Sequence, residues 1–274
     1  MNPIPFYKMN GCGNDFIIID NRAGRVALDP VDLTRGVCRR KISVGADGLI
    51  LIESSEQFDF QWQFYNSDGS RAEMCGNGAR CAARFAYESG IAGQQMRFQT
   101  DAGPIEAQMH GQQVKIKMTP PVDCRLDYTI ELDEGPQLIS SINTGVPHVV
   151  LERPELGEAD IVPLGRTIRH HDHFAPAGAN VNFVFPLNVN GIRVRTYERG
   201  VEDETLACGT GCVASALVTA ARLGWRSPIA VTTRSGGILT IYFAREGNGF
   251  RDIFLEGDAR IVATGEIGPD AMLA

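Results

Sequence analysis

The sequence predicts an α+β fold of two pseudo-symmetric halves. Each half is expected to wrap antiparallel strands around a central helix, with an active site in the cleft between them. Three observations carry this expectation. Short runs that read as strands are separated by glycine turns along the whole chain. Two helical stretches open on the same Cys-Gly-x-Gly pattern. The second of these is apolar or small all round, which requires burial on every side.

The strand signals come first. Asp68-Gly69, His110-Gly111, Asn190-Gly191 and Asn248-Gly249 each sit between strand-like runs, among them residues 60–66, 114–118, 181–185, 192–197 and 253–256. The first helix follows Cys75, through Gly76-Asn77-Gly78-Ala79-Arg80-Cys81, and stops at Gly90. The second follows Cys208, through Gly209-Thr210-Gly211-Cys212, and stops at Gly224. Both stops suit a left-handed glycine cap. Cysteine and capping glycine lie 15 positions apart in one helix (90−75) and 16 in the other (224−208).

The two cysteines are 133 positions apart (208−75), close to half of the 274 residues, so the repeat reads as a duplication. Met118-Thr119-Pro120-Pro121 is the natural boundary, because consecutive prolines favour an extended linker. The expected halves are residues 1–119, carrying Cys75, and 120–274, carrying Cys208. The last ten or so residues, from about Gly265, are open to pairing back onto the first half.

Composition narrows the function. At 43% hydrophobic and 22% charged residues the chain reads as a globular protein. A net charge of −7 and a pI near 5.3 exclude a nucleic-acid surface. No apolar stretch reaches membrane-spanning length, and the first residues lack the apolar run of a signal peptide, so the cytoplasm is the expected compartment. Seven cysteines, an odd number, make a poor disulfide framework there. Cys81 and Cys212 read as packing inside the helices, and Cys12, Cys38 and Cys124 have no chemical setting.

Cys75 and Cys208 differ from the other five. Each precedes a helix N-terminus, where unpaired N–H groups and the helix dipole favour negative charge. A thiol placed there becomes a better thiolate base, and the adjacent glycines let a carboxylate approach the backbone. Either cysteine alone is equally well explained as a small residue at a tight turn. Two in matching contexts fit an acid/base pair acting on opposite faces of one α-carbon.

Several blocks along nearly the whole chain have a further meaning together. They are Gly11-Cys12-Gly13-Asn14-Asp15-Phe16, Gly45-Ala46-Asp47-Gly48, Asn66-Ser67-Asp68-Gly69-Ser70 running into Met74-Cys75-Gly76-Asn77-Gly78-Ala79-Arg80-Cys81, Gly145-Val146-Pro147-His148, and Tyr197-Glu198-Arg199-Gly200 followed by Ala207-Cys208-Gly209-Thr210-Gly211. In this order and spacing they resemble the diaminopimelate epimerase family. The resemblance implies a PLP-independent isomerase of lysine biosynthesis, interconverting LL-2,6-diaminopimelate and the meso form without cofactor or metal, as a cytoplasmic homodimer. It implies Cys75 and Cys208 as the catalytic bases. Backbone N–H groups of Gly76, Asn77, Gly209 and Thr210 would hold the reacting carboxylate. Asn14 would hold a polar group near that centre. Asn66, Asn180, Glu198 and Arg199 would read the distal amino-acid end, and His148 and Glu198 would tune the thiols. Glutamine stands in some members at the position of Gly48, and asparagine at that of Val146, so these two contacts are missing here or made otherwise.

Two other readings compete. A proline or hydroxyproline racemase shares the second cysteine block, but typically carries histidine where this chain has Asn77, and needs no reader such as Glu198-Arg199. A non-catalytic binding protein on the same scaffold would not need both cysteines and both glycine elbows. His170, His171, Asp172 and His173 form a compact cluster that reads equally as a solvated loop, with no Cys-x-x-Cys partner for zinc. No glycine-rich segment matches a dinucleotide or phosphate-loop fingerprint.

Overall fold

The computed structural model describes residues 3–155, 160–247 and 249–272. The chain divides into two compact units, Met1–Ile116 with Gly257–Ala274, and Lys117–Glu256. In chain order the first unit contains β1 (Ile4–Gly11), β2 (Asn14–Asp20), α1 (Pro30–Val37), β3 (Gly48–Glu53), β4 (Phe60–Asn66), α2 (Gly76–Glu88), β5 (Gln95–Thr100), β6 (Gly103–His110) and β7 (Gln113–Lys117). The second contains β8 (Val122–Leu132), β9 (Gly135–Asn143), β10 (Pro147–Glu152), α3 (Val162–Arg169), β11 (Asn180–Asn188), β12 (Gly191–Glu198), β13 (Asp203–Thr205), α4 (Gly209–Leu223), β14 (Ile229–Thr232), β15 (Ile238–Glu246) and β16 (Gly249–Asp258). The closing strand, β17 (Arg260–Ile267), lies in the first unit.

The pairings show the duplication strand by strand. In the first unit hydrogen bonding runs β17, β1, β2, β3, β4, β5, β6, β7. In the second it runs β8, β9, β10, β11, β12, β14, β15, β16. The class is α+β with two repeated halves. Most neighbours are antiparallel, but β2 with β3, β4 with β5, β10 with β11 and β12 with β14 are parallel. In each of these pairs a helix carries the chain back to the end where the first strand began, and a parallel partner requires that crossover. β17 does for β1 what β8 does for β9. Residues 257–274 group with the first unit, and Ile4 stands opposite Ile267.

Each unit is built in layers around its second helix. α2 rests on β1, β2, β3 and β6 and buries Ala79, Cys81, Ala82, Ala83, Phe85 and Ala86, small residues that let helix and strands approach closely. α4 is buried without a break from Gly211 to Ala220, with β9 to β12, β14 and β15 around it. The apolar circumference read from the sequence is this enclosure. Gly224 ends α4 at φ 68°, and Gly90 takes φ 67° just beyond α2.

The other faces of the same strands are buried too. Ile17, Ile19, Leu49 and Leu51 meet Leu33 and Val37 of α1, while Val149, Leu151, Val181 and Phe183 meet Ile168 of α3. This explains continuous apolar runs such as Phe16-Ile17-Ile18-Ile19, which alternation would not give. α1 and α3 have eight residues each and were not legible as helices. The Asp68-Gly69 turn does not join two strands but leads into a bridge between Tyr65 and Arg71. Asn248 of the fourth turn signal lies outside the described residues. Among the described residues, no helix is long and apolar enough to cross a membrane.

Leu217 is fully buried in α4, whereas Leu223 in its last turn is 45% exposed. Leu217→Ala is expected to cost about 2–5 kcal/mol in urea unfolding, and Leu223→Ala less than about 1 kcal/mol. Equal, small losses at both positions would contradict the enclosure of α4.

Candidate active site

Cys75 and Cys208 are the N-caps of α2 and α4, in extended conformations of φ −145°, ψ 119° and φ −116°, ψ 110°. The first intrahelical bonds run from Ala79 N to Cys75 O at 2.8 Å and from Cys212 N to Cys208 O at 2.9 Å. The N–H groups of Gly76, Asn77 and Gly78, and of Gly209, Thr210 and Gly211, therefore have no intrahelical acceptor. Neither cysteine side chain caps its helix. By contrast, Asp29 caps α1 and accepts from Val31 N and Asp32 N. Forgoing such a cap costs about 1 kcal/mol per helix and leaves two anion-binding ends. Cys75 is half-buried and Cys208 buried, its Sγ 3.5 Å from Thr210 Oγ1.

In the first unit a chain of side-chain amides runs inward from the elbow. Asn77 Nδ2 donates to Asn14 Oδ1 at 2.6 Å, and Asn14 Nδ2 donates to Asp47 Oδ2 at 3.1 Å. Arg80 Nη2 donates to Asn77 Oδ1 at 2.7 Å. Arg80 is completely buried and also donates to the carbonyls of Asp258 and Gly76. Arg40 bridges Asp15 and Asp47 at 2.5 and 2.8 Å, and Lys8 meets Asp15 at 2.6 Å. Burial raises the Asp15 pKa, but the hydrogen bonds from Arg40 and Lys8 outweigh it and hold the carboxyl below its usual range. The Asn14 and Asn77 amides are thereby locked in orientation.

Asn66 is exposed at the end of β4, its Nδ2 donating to Ser70 Oγ, and Gly48 stands opposite it. A Cβ at Gly48 would lie 2.6 Å from Tyr65 O and 2.7 Å from the Phe64 ring. Any side chain at this position would require the backbone of β4 to shift.

In the second unit His148, Asn180, Glu198 and Arg199 come together at the ends of β10, β11 and β12. Asn180 Oδ1 accepts from Arg199 N at 2.7 Å. Among the described residues the Arg199 guanidinium makes no hydrogen bond or ion pair, so its donor fork is open to a carboxylate. Burial pushes the Glu198 carboxyl above its usual range, partly offset by Thr205 Oγ1 donating to Oε2 at 2.8 Å. Burial, with Arg199 nearby, pushes the His148 imidazole down to about 3. His148 Nε2 is buried with no partner among the described residues, a state that costs roughly 1–3 kcal/mol. Thr210 is tied down through its carbonyl, which accepts from Thr144 Oγ1 at 3.0 Å. Val146, half-buried, contributes its carbonyl to Thr144 N at 3.2 Å.

Sequence reasoning gave Asp47 and Arg80 no role, although both lie in the quoted blocks. Asn77 and Arg80 are three apart on one helix face, a spacing that pairs side chains. It also missed Asn182 and Thr196, which bond to each other beneath α4. Burial pushes the Cys38 and Cys81 thiols up to about 12, as packing residues require. His171 is taken up by the Glu131 carbonyl, and His170 lies 3.5 Å from Glu202. Among the described residues no three His, Cys, Asp or Glu side chains converge as metal ligands.

The His148 imidazole is expected to stay neutral from about pH 5 to pH 8, so its NMR signals hold still across that range. Its folded pKa lies below the ordinary value of 6.5. The stability it contributes is therefore complete above about pH 6.5 and declines below that, where only the unfolded chain takes up the proton. A His148 midpoint near 6.5 would contradict this burial.

The family model for diaminopimelate epimerase matches residues 6–123 and 140–262. A diaminopimelate epimerase of Aquifex aeolicus is 45% identical, with 97% of this chain and 99% of that protein covered. One from Hydrogenobaculum sp. is 44% identical over 94% of this chain and 96% of that one. Among solved structures, a phenazine biosynthesis protein of the PhzF family from Bacillus anthracis superposes with a TM-score of 0.71 at 16% identity, covering 98% of this chain and 100% of its own. A hydroxyproline epimerase from Agrobacterium vitis with bound trans-4-hydroxy-L-proline superposes at 0.70, also at 16% identity, covering 98% and 93%. At such identities these two show the shared fold alone. With both halves matched by the family model and relatives above 40% identity over almost the full length, this chain belongs to the diaminopimelate epimerase family.

Proposed function

We propose that this chain interconverts LL-2,6-diaminopimelate and meso-diaminopimelate by two-base proton transfer, with Cys75 and Cys208 as the pair and no organic cofactor. The observation that carries the reading is the pair of uncapped helix N-termini, each opening on a cysteine, in a chain of this family. One cysteine, as thiolate, takes the α-proton and becomes a thiol. The electron pair left on carbon delocalises into the α-carboxylate. The other cysteine, as thiol, gives its proton to the opposite face and becomes the thiolate.

The N–H groups of Gly76, Asn77, Gly209 and Thr210 stabilise the charge that moves onto the carboxylate, and being fixed they need no reorganisation. Asn14, held by Asp47 and Asn77, orients a polar group of the substrate at the reacting carbon. Asn66, Asn180, Glu198 and Arg199 read the distal amino-acid end. Arg199 suits its carboxylate, and the buried Glu198 carboxylate is stabilised by its ammonium. His148 and Glu198 act on the thiols through charge and hydrogen bonding. The pathway in this reading is lysine biosynthesis in the cytoplasm, with a homodimer as the working form.

The Arg199 guanidinium, without a side-chain partner among the described residues, favours this substrate over proline or hydroxyproline, which carry no second carboxylate. The test is α-proton exchange. Reduced, purified protein is incubated with LL-diaminopimelate in D2O and followed by NMR. Deuterium should enter one centre as meso product forms. In Cys75→Ala and Cys208→Ala the rate should fall about 100- to 10,000-fold. Exchange with proline but not diaminopimelate would move the substrate, and no exchange with any amino acid would overturn the enzymatic reading.

A further inference from the structure

The two elbows share a frame but rest on different chemistry. Beneath α4, three polar side chains occupy one face of adjacent strands: His148 on β10, Asn182 on β11 and Thr196 on β12. Asn182 pairs directly with Thr196 and with Val150, and His148 lies two residues before Val150, on the same face. The same register positions in the first unit are Phe16, Ile50 and Phe64, with Ile50 paired to Phe64 and to Ile18. The glycines above confirm the equivalence. A Cβ on Gly78 would meet Ile50 Cδ1 at 3.3 Å and the Phe16 ring at 3.6 Å, whereas one on Gly211 would stand 2.3 Å from Asn182 Oδ1. The duplicated frame thus holds an apolar trio under the Cys75 helix and a hydrogen-bonded trio under the Cys208 helix.

The hydrogen bonds of the polar trio have one consistent direction. Asn182 Nδ2 lies 2.9 Å from the Val149 carbonyl, which can only accept, so the amide orientation is settled. The same Nδ2 lies 3.1 Å from His148 Nδ1, and its second hydrogen points there. Thr196 Oγ1 donates to Asn182 Oδ1 at 2.9 Å and holds the other end of the amide. His148 Nδ1 is therefore an acceptor. The buried ring is neutral, so its proton sits on Nε2, the atom without a partner among the described residues.

We propose that Asn182, backed by Thr196, is a positioning residue of the reaction: it acts through His148, locking the imidazole as the Nε2–H tautomer so that this donor serves the negative charge gathered at the N-terminus of α4. The inference rests on the epimerase reading for its consequence, but not for the tautomer itself. It makes the two cysteines unequal, because no counterpart of this donor exists over Phe16, Ile50 and Phe64. Tautomer control of this kind is what a hydrogen-bonded orienting residue supplies to a catalytic histidine elsewhere.

The test combines nitrogen NMR with kinetics. In protein labelled with 15N-histidine, long-range 1H–15N correlation at neutral pH should place the His148 proton on Nε2. Asn182→Asp replaces the donor with an acceptor and should move a proton onto Nδ1. Asn182→Asp and Thr196→Val should lower kcat about 10- to 100-fold with little change in KM, and Thr196→Ser, which keeps the hydroxyl, should recover most of the loss seen in Thr196→Val. Should Asn182→Asp fail to fold, the Thr196 pair still decides. A wild-type proton on Nδ1, a shifted proton with wild-type kcat, or equal losses in Thr196→Val and Thr196→Ser would each overturn the proposal. If the wild type exchanged no α-proton, the epimerase reading would fall with its consequence, while the nitrogen spectra would still decide the tautomer.

Discussion

The N–H groups at the starts of α2 and α4, which have neither an intrahelical acceptor nor a side-chain cap among the described residues, are the constraint around which both units are arranged. A helix end left without a side-chain cap gives up about 1 kcal/mol and must be held in place by other contacts. α4 meets this by burying its whole circumference, and α2 by setting small residues against four strands. α1 carries no such function and is capped in the ordinary way by Asp29. The contrast within one chain shows that the missing caps are not a consequence of the fold class. α3 also starts without a side-chain cap, at Ile161, but only α2 and α4 open on a cysteine.

The duplication explains why two such ends exist, and its divergence explains how they differ. The strand orders and the parallel crossovers correspond one for one, and β17 completes the first unit as β8 completes the second. Polar chemistry was then distributed unequally over that frame. The first unit places its buried polar chain beside the helix, from Asp47 through Asn14 and Asn77 to Arg80. The second places its polar trio beneath the helix. Buried polar groups are tolerated when their bonds are made. Within these two groups the exception among the described residues is His148 Nε2, at the start of β10.

Much of this was legible in the sequence, and the reasons are physical. Cys75 and Cys208 stood out because helix starts, glycine caps and their spacing are local signals. The burial of α4 followed from its composition. The strand 60–66 was read with its observed bounds, since its turn signal is adjacent. Pairing sense was not legible, because a parallel partner depends on a helix returning the chain, and α1 and α3 are too short to announce themselves. The return of β17 to β1 links residues more than 250 positions apart, for example Ile4 and Ile267, which no local pattern records. Asn182 and Thr196 escaped notice because each is an ordinary polar residue of a strand. Only the register shows that they share a face with His148, and that Gly211 makes room for the amide.

The account stands on two sulfurs serving one carbon. The measurement that tests this most directly is a crystal structure of the reduced chain with diaminopimelate bound. It should show the Sγ atoms of Cys75 and Cys208 on opposite faces of the same α-carbon, each about 3–3.5 Å away, with the α-carboxylate on the N–H groups of both helices. A substrate approached by one sulfur alone, with its carboxylate on one helix end, would contradict it.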